Sequence, residues 1–237
     1  MSEYLTDLGI KNYKILQNTD GCAFSQDSVF LANTAKFRST DKVLDLGTGS
    51  GIIATLALIK KGVQSAVGIE LQPDIADMAK RSAALNGLQD RFEIICGDVC
   101  DIRDLITAES FDKVLCNPPY FAKERPNDSP SSARDVTRTE SCATLSDFVK
   151  SAAYALKFGS DAYFIIKIAR LSELMYAMSS NRLEPKKITL IYPKLSLGVD
   201  TVIVQAKKGG KAGLVSDTLI VMEEDGSYTQ RYKELYE

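Results

Sequence analysis

Asn117-Pro118-Pro119-Tyr120 follows a short apolar stretch, Lys113-Val114-Leu115-Cys116. An amide side-chain oxygen beside a backbone carbonyl, on a chain stiffened by proline, makes a preorganised pair of hydrogen-bond acceptors. Such a pair suits a planar amine whose lone pair is delocalised into a ring or a carbonyl. Drawing its two protons out of plane makes the nitrogen more pyramidal, and its lone pair can then attack an electrophile. Tyr120 adds a flat face for stacking, worth about 1–3 kcal/mol per base in comparable contacts. No strong base is required, because the nitrogen sheds its proton after it has acquired charge. This matches a chain with no histidine, which rules out imidazole as base, nucleophile partner or metal ligand. The alternative reading is a Pro-Pro turn without chemistry.

A second cluster lies upstream: Asp45-Leu46-Gly47-Thr48-Gly49-Ser50-Gly51. Its glycines permit positive φ and let backbone approach a ligand closely. A dinucleotide loop would set a pyrophosphate on the following helix N-terminus. Here an acid precedes the glycines, which suits a cofactor with a cationic amino-acid end and no phosphate. A tight strand-to-helix turn is the plain alternative. Glu70, one β-α-β unit further on, ends Val67-Gly68-Ile69; a carboxylate there can accept from both ribose hydroxyls, or it is a surface acid. Cys96-Gly97-Asp98-Val99 places a third acid at the end of a third apolar stretch.

The elements that must hold these residues follow from the alternation of short β-prone runs with helical segments. Strands are expected over 42–46, 65–69, 92–96 and 113–116, with helices over 52–61, 73–86 and about 101–106 between them. Gly62 and Gly87 fall where a left-handed helix end favours glycine, and Pro73 falls where a first turn tolerates proline. Asp45, Glu70, Asp98 and Asn117 therefore end four successive strands, where ligands bind in parallel α/β sheets. Ser25 is expected to cap a helix over 26–37. Thr144 and Asp147 are expected to cap one running through Leu156 and ending at Gly159. A strand over 163–168, a helix over 171–181, and two antiparallel strands over 187–192 and 201–206 follow. Residues 219–222 are expected to add a last strand, and residues 1–20 a loop or edge strand. The polar stretch 121–141 is long for a structureless connection and is expected to be a binding loop, mobile without substrate.

The chain of 237 residues, 45% hydrophobic and 25% charged, suits one α/β domain: a segment over 1–23, a core over 24–206 and an extension over 207–237. No apolar run approaches the roughly 18–20 residues that cross a bilayer, and the start lacks the pattern of a secretory signal. Five cysteines, none in a CxxC pair, suggest neither a disulfide framework nor a zinc site. A reducing cytoplasm is expected, with no membrane and no metal partner.

With the glycine loop and Asn117-Pro118-Pro119-Tyr120-Phe121, two further stretches carry a family resemblance: Phe24-Ser25-Gln26-Asp27-Ser28-Val29-Phe30-Leu31-Ala32 and Arg138-Thr139-Glu140. The chain resembles the class I S-adenosylmethionine-dependent methyltransferases that act on amino groups. Among these it resembles the bacterial tRNA adenine-N6 methyltransferases of position A37 in a valine tRNA. The resemblance implies a Rossmann-like, seven-stranded sheet, mostly parallel with an antiparallel terminal strand. It implies S-adenosyl-L-methionine as cofactor and S-adenosyl-L-homocysteine as product. Phe24, Ser25, Asp45, Gly47, Thr48, Gly49, Gly51, Glu70, Leu71, Asp98, Val99 and Asn117 would then bind the cofactor, with Asp98 accepting from the adenine amine. Asn117, Pro118, Pro119 and Tyr120 would serve catalysis, and Tyr120, Phe121, Arg138 and Glu140 the substrate. Two departures stand out: Thr139 occupies a place where relatives often carry histidine, and Lys167-Ile168-Ala169-Arg170 replaces a basic, proline-containing motif.

The implied partner is a tRNA. A net charge of −2 supplies no global field for polyanions. Local cations are therefore read either as a rim of the site or as ordinary solvated surface: Lys186, Lys187, Lys194, Lys207, Lys208 and Lys211, with Lys123, Arg125, Arg134 and Arg138. The main rival is a protein glutamine methyltransferase of the release-factor type, since an amide also presents a planar amine. Such enzymes usually carry a helical domain ahead of the core, and little chain precedes Phe24 here. DNA adenine or ribosomal guanine methylation, and a cofactor-binding module without transfer, are the remaining alternatives.

Overall fold

The computed structural model describes residues 2–19, 24–119 and 143–236. Two short strands, β1 (Glu3–Asp7) and β2 (Lys14–Asn18), form an antiparallel hairpin in the segment expected to be loop or edge strand. Then come α1 (Gln26–Thr34), β3 (Lys42–Leu46), α2 (Ile52–Lys60), β4 (Ser65–Glu70), α3 (Pro73–Leu85), β5 (Phe92–Cys96), a 3-10 turn leading into α4 (Ile102–Leu105), and β6 (Phe111–Cys116). After the undescribed stretch come α5 (Leu145–Ala155), β7 (Leu156–Lys167), α6 (Leu171–Ser180), β8 (Leu183–Tyr192), β9 (Thr201–Lys208), β10 (Val215–Ile220) and α7 (Gln230–Tyr236).

The main sheet has the order β10-β8-β9-β7-β6-β3-β4-β5. β9 runs against β7 and β8; the other neighbours pair in parallel. The fold is the Rossmann-like, mostly parallel α/β class, with two corrections. Among the described residues the sheet has eight strands, because the last strand expected over 219–222 forms over 215–220 as a parallel edge strand beyond β8. The antiparallel strand lies inside the sheet between β7 and β8, where both its edges are hydrogen-bonded.

Strand side chains alternate between two apolar clusters, as the period of two demands. Val43, Leu115, Tyr163 and Ile165 face one cluster with α1, α2 and α3. Leu44, Leu46, Val114, Phe164 and Ile166 face the other with α5 and α6. Ile52 through Leu58 of α2 are all buried, because α2 is covered by α1 as well as by the sheet.

Local rules place several ends as expected. Gly62 and Gly87 have φ of 67° and 66°, Pro73 opens α3, and Thr144 with Asp147 completes a reciprocal capping box. Others differ. Ser25 stands at the N-cap of α1 but its side chain makes no capping bond, and α1 stops at Thr34 because Ala35 is extended. Gly159 ends no helix: α5 stops at Ala155 and β7 begins at once. The register jumps there from Phe111↔Leu156 to Lys113↔Asp161. The intervening residues bulge out of the ladder, and Gly159 supplies the positive φ (79°) that the bulge needs.

Candidate active site

Leu46 and Cys116 are register partners at the ends of the adjacent strands β3 and β6. The glycine loop and Asn117 therefore leave the sheet side by side. Glu70 ends β4 and Asp98 lies just past β5, so the sheet order lines up Asn117, Asp45, Glu70 and Asp98 along one edge.

Gly47, Gly49 and Gly51 all have positive φ (72°, 54° and 82°), which coils the loop tightly into α2. Asp45 is wholly buried beneath it. Its Oδ2 accepts from Thr48 Oγ1 at 2.7 Å, while Oδ1 meets no partner at hydrogen-bond geometry among the described residues. Burial pushes the Asp45 carboxyl up to about 7, with the charge of Glu70 adding to the effect; the Thr48 bond and the first-turn amide of Ala54 oppose it. Glu70 holds the loop from the other side: Oε2 accepts from Gly49 N at 2.9 Å and Oε1 from Gln72 N at 3.0 Å. A carboxylate has about four lone-pair sites, so these two bonds leave capacity for a diol. Leu71 is exposed at the following turn. Asp98 Oδ1 accepts from Cys100 N at 2.8 Å and caps the 3-10 turn, with Val99 buried beside it. The neighbouring Cys100 thiol is pushed up to about 11, by burial first and then by the Asp98 charge, so it stays protonated near neutrality.

This donor set fits S-adenosylmethionine. Three carboxylates stand on neighbouring strands, two of them at positions suited to hydroxyl and amine donors, and the third is a buried acid with an unmet oxygen behind a glycine cradle. The Asp45 carboxylate is not presented to solvent.

Asn117 is half-buried, Pro118 buried and Pro119 exposed. Asn117 Nδ2 donates to Ser28 Oγ at 3.0 Å. Ser25, by contrast, is exposed, and Phe24 donates its amide to Gln17 Oε1 at 2.8 Å while its ring packs against the core. Tyr120, Phe121, Arg138 and Glu140 lie outside the described residues, as do the stretch 121–141 and its cations.

Several contributors carry no signal in the sequence. A Cβ on Gly68 would lie 2.8 Å from the Thr48 side chain, so this strand glycine makes room for the residue that holds Asp45. Phe148 of α5 faces Gly47, and Ser151 Oγ donates to the Val99 carbonyl at 2.6 Å, so one helix supports two of the loops.

Most of the described cations singled out in the C-terminal half do not rim this edge. Asp161↔Lys207 and Lys113↔Asp161 put Lys207 at the amino end of the parallel strands, opposite Asn117. Lys208 pairs with Glu109, Lys187 with Asp217, and Lys186 with the Lys211 carbonyl. Lys194 and Lys167 do lie at the carboxyl end, bonded to the Glu224 carbonyl and to Asp200. Among the described residues no group of His, Cys, Asp and Glu is set to hold a metal, and no helix is long and apolar enough to cross a membrane.

Residues 19–134 match the model of the methyltransferase small domain. The chain is 30% identical to the tRNA1(Val) (adenine(37)-N6)-methyltransferase of Porphyromonas gingivalis over 207 residues, covering 82% of this chain and 77% of the relative. It is 26% identical to the enzyme of that name from Actinobacillus pleuropneumoniae over 219 residues, covering 91% and 90%. In fold it is similar to a predicted O-methyltransferase from Agrobacterium tumefaciens, with a TM-score of 0.72, 23% identity, and 89% and 95% of the two chains covered. It is also similar to geranyl diphosphate C-methyltransferase from Streptomyces coelicolor crystallised with S-adenosyl-L-homocysteine (TM-score 0.57, 15% identity, 76% and 79% covered).

Proposed function

This chain belongs to the family of the tRNA1(Val) (adenine(37)-N6)-methyltransferases and is an S-adenosylmethionine-dependent methyltransferase, and on that premise we propose that it methylates the N6 amine of an adenine in tRNA, at the position beside the anticodon. The observation that carries this reading is the register pair Leu46↔Cys116, which sets Asn117 and Pro118 against the glycine loop. The whole chain, 1–237, is read as one methyltransferase domain with its catalytic core over 24–206.

When bound, the cofactor supplies an electrophilic methyl group. Glu70 accepts from its ribose hydroxyls and Asp98 from its adenine amine. Gly47, Thr48, Gly49 and Gly51 shape the cradle over Asp45, and Leu71 and Val99 flank it. Phe24 and Ser25 stand at its margin. Asn117 Oδ1 and the Pro118 carbonyl accept the two N–H groups of the target amine, which turns the nitrogen lone pair out of the ring plane. Pro119 stiffens the loop, and Tyr120 stacks on the extruded base, whose unstacking costs a few kcal/mol. Phe121, Arg138 and Glu140 shape the substrate mouth. The methylated nitrogen loses its proton to water.

Transfer of labelled methyl groups to undermodified bulk tRNA, with a release-factor fragment in parallel, tests the substrate. Label in N6-methyladenosine is expected; label in methylglutamine overturns the RNA assignment. Asn117→Ala is expected to abolish transfer while S-adenosylhomocysteine still binds, and unchanged turnover would sink the role given to Asn117.

A further inference from the structure

Three consecutive side chains tie the first turn of α1 to three distant parts of the molecule. Gln26 Nε2 donates to the Tyr232 hydroxyl at 2.7 Å. Asp27 Oδ2 lies 3.9 Å from Lys167 Nζ at the end of β7. Ser28 Oγ accepts from Asn117 Nδ2 at 3.0 Å. The third contact reaches the side chain on which the chemistry turns.

A primary amide has two ends of nearly equal size and opposite character: the NH2 donates and the oxygen accepts. Only the oxygen can take a proton of a target amine. Half a turn about the last side-chain bond would present N–H to N–H. Packing discriminates poorly between the two orientations, whereas a hydrogen-bond partner on one side does. Ser28 is only 6% exposed, so water competes weakly for its hydroxyl, and its place on a helix turn held through the two preceding residues, Gln26 and Asp27, makes that hydroxyl a stationary partner.

We propose that Ser28 is a positioning residue for methyl transfer: by accepting from Asn117 Nδ2 it holds the amide plane with the acceptor end turned away from α1, toward the amine. The inference rests on the reading of Asn117 as an acceptor for the target amine. It gives α1 a part in the reaction that depends on Ser28 and not on Ser25.

The test compares the full-length wild type with Ser28→Ala, Ser28→Thr and Asn117→Ala. It uses transfer to undermodified tRNA, calorimetric binding of S-adenosylhomocysteine, thermal melting, and the 15N–1H signals of the Asn117 side-chain amide, assigned by their loss in Asn117→Ala. Ser28→Ala is expected to lower kcat by about tenfold, with KM, cofactor-product affinity and melting temperature nearly unchanged. Its Asn117 amide signals should shift, and Ser28→Thr should restore both the signals and most of kcat. A Ser28→Ala enzyme with wild-type kcat, beside an inactive Asn117→Ala, overturns the role of Ser28 and leaves the reading of Asn117 standing. An active Asn117→Ala overturns that reading instead. Parallel losses of melting temperature, product affinity and kcat in Ser28→Ala would make the residue merely structural, which also overturns the proposal. If the wild type transfers nothing to tRNA, the amide signals decide, and an unmoved pair refutes the contact.

Discussion

Burial makes Asp45 keep its proton up to about pH 7, against the bonds from Thr48 and the Ala54 amide, whereas the unfolded side chain ionises near 3.8. Between those values the folded state binds more protons than the unfolded one. The contribution of Asp45 to stability is therefore greatest at low pH and declines as pH rises through about 4 to 7. Asp112, Asp161 and Asp217 act in the opposite sense. Lysine or arginine partners hold their carboxyls below the ordinary value, so their contribution is lost as pH falls below about 4. Denaturant titrations of the cofactor-free protein between about pH 5 and 8 should show stability falling with pH, and Asp45→Asn should flatten the slope. A cationic cofactor end stabilises the ionised form, so S-adenosylhomocysteine should bind more tightly as pH rises to about 7 and release a proton below it. A flat affinity profile, or a profile unchanged in Asp45→Asn, would disconnect this acid from the cofactor.

Between strand and loop, one missing Cβ decides the geometry. Gly68 of β4 is the register partner of Asp45, and the Thr48 side chain fills the space a β-carbon would take. Gly68→Ala should push Thr48 off Asp45, costing about 1–3 kcal/mol of stability and weakening cofactor binding by more than that loss alone accounts for. Paired chemical denaturation and calorimetry would separate the two effects. The last helix acts on the site from further away. Tyr232 packs edge-on against Phe30 with centroids 6.1 Å apart, stacks on Tyr228 at 4.5 Å, and accepts from Gln26. Lys60 of α2 also donates to the Leu235 carbonyl at 3.1 Å, so α7 braces both α1 and α2. Tyr232→Ala should cost about 3–5 kcal/mol, whereas Tyr232→Phe should cost about 1 kcal/mol through the lost hydroxyl alone. Equal melting temperatures for the two variants would contradict that division.

Across the whole molecule the sheet has a working end and a supporting end. Asn117, Asp45, Glu70 and Asp98 gather at the carboxyl ends of the strands, while Lys113, Asp161 and Lys207 form a charged cluster at the amino ends, with Lys113 and Asp161 2.6 Å apart. Asp161→Ala would leave the mostly buried Lys113 without that partner and should destabilise by about 3–5 kcal/mol. Lys208→Ala, at the same end, should leave kcat and the KM for tRNA within about twofold of wild type. A large rise in KM for tRNA would mean that RNA reaches round to the supporting end, against the polarity of the fold.

Much of this was legible in the residues alone, because the rules involved act over a few positions. Glycine's tolerance of positive φ marks Gly47, Gly49 and Gly51, the reciprocal cap marks Thr144 and Asp147, and short β-prone apolar runs between helical segments mark the strands whose ends carry Asp45, Glu70 and Asn117. The same local rules misplace Gly159, since a bulge and a helix end ask for the same backbone conformation and only the pairing of β6 with β7 distinguishes them. They also favour Ser25 over Ser28, because capping is a local bond whereas the contact of Ser28 with Asn117 spans 89 positions. That contact exists because β6 inserts beside β3 and α1 packs across that face of the sheet. Strand order likewise sends the lysines of β9 to the far end, since an antiparallel strand returns its last residues to where its parallel neighbours begin. Local sequence thus specifies which groups are available for chemistry, and long-range packing specifies which of them meet.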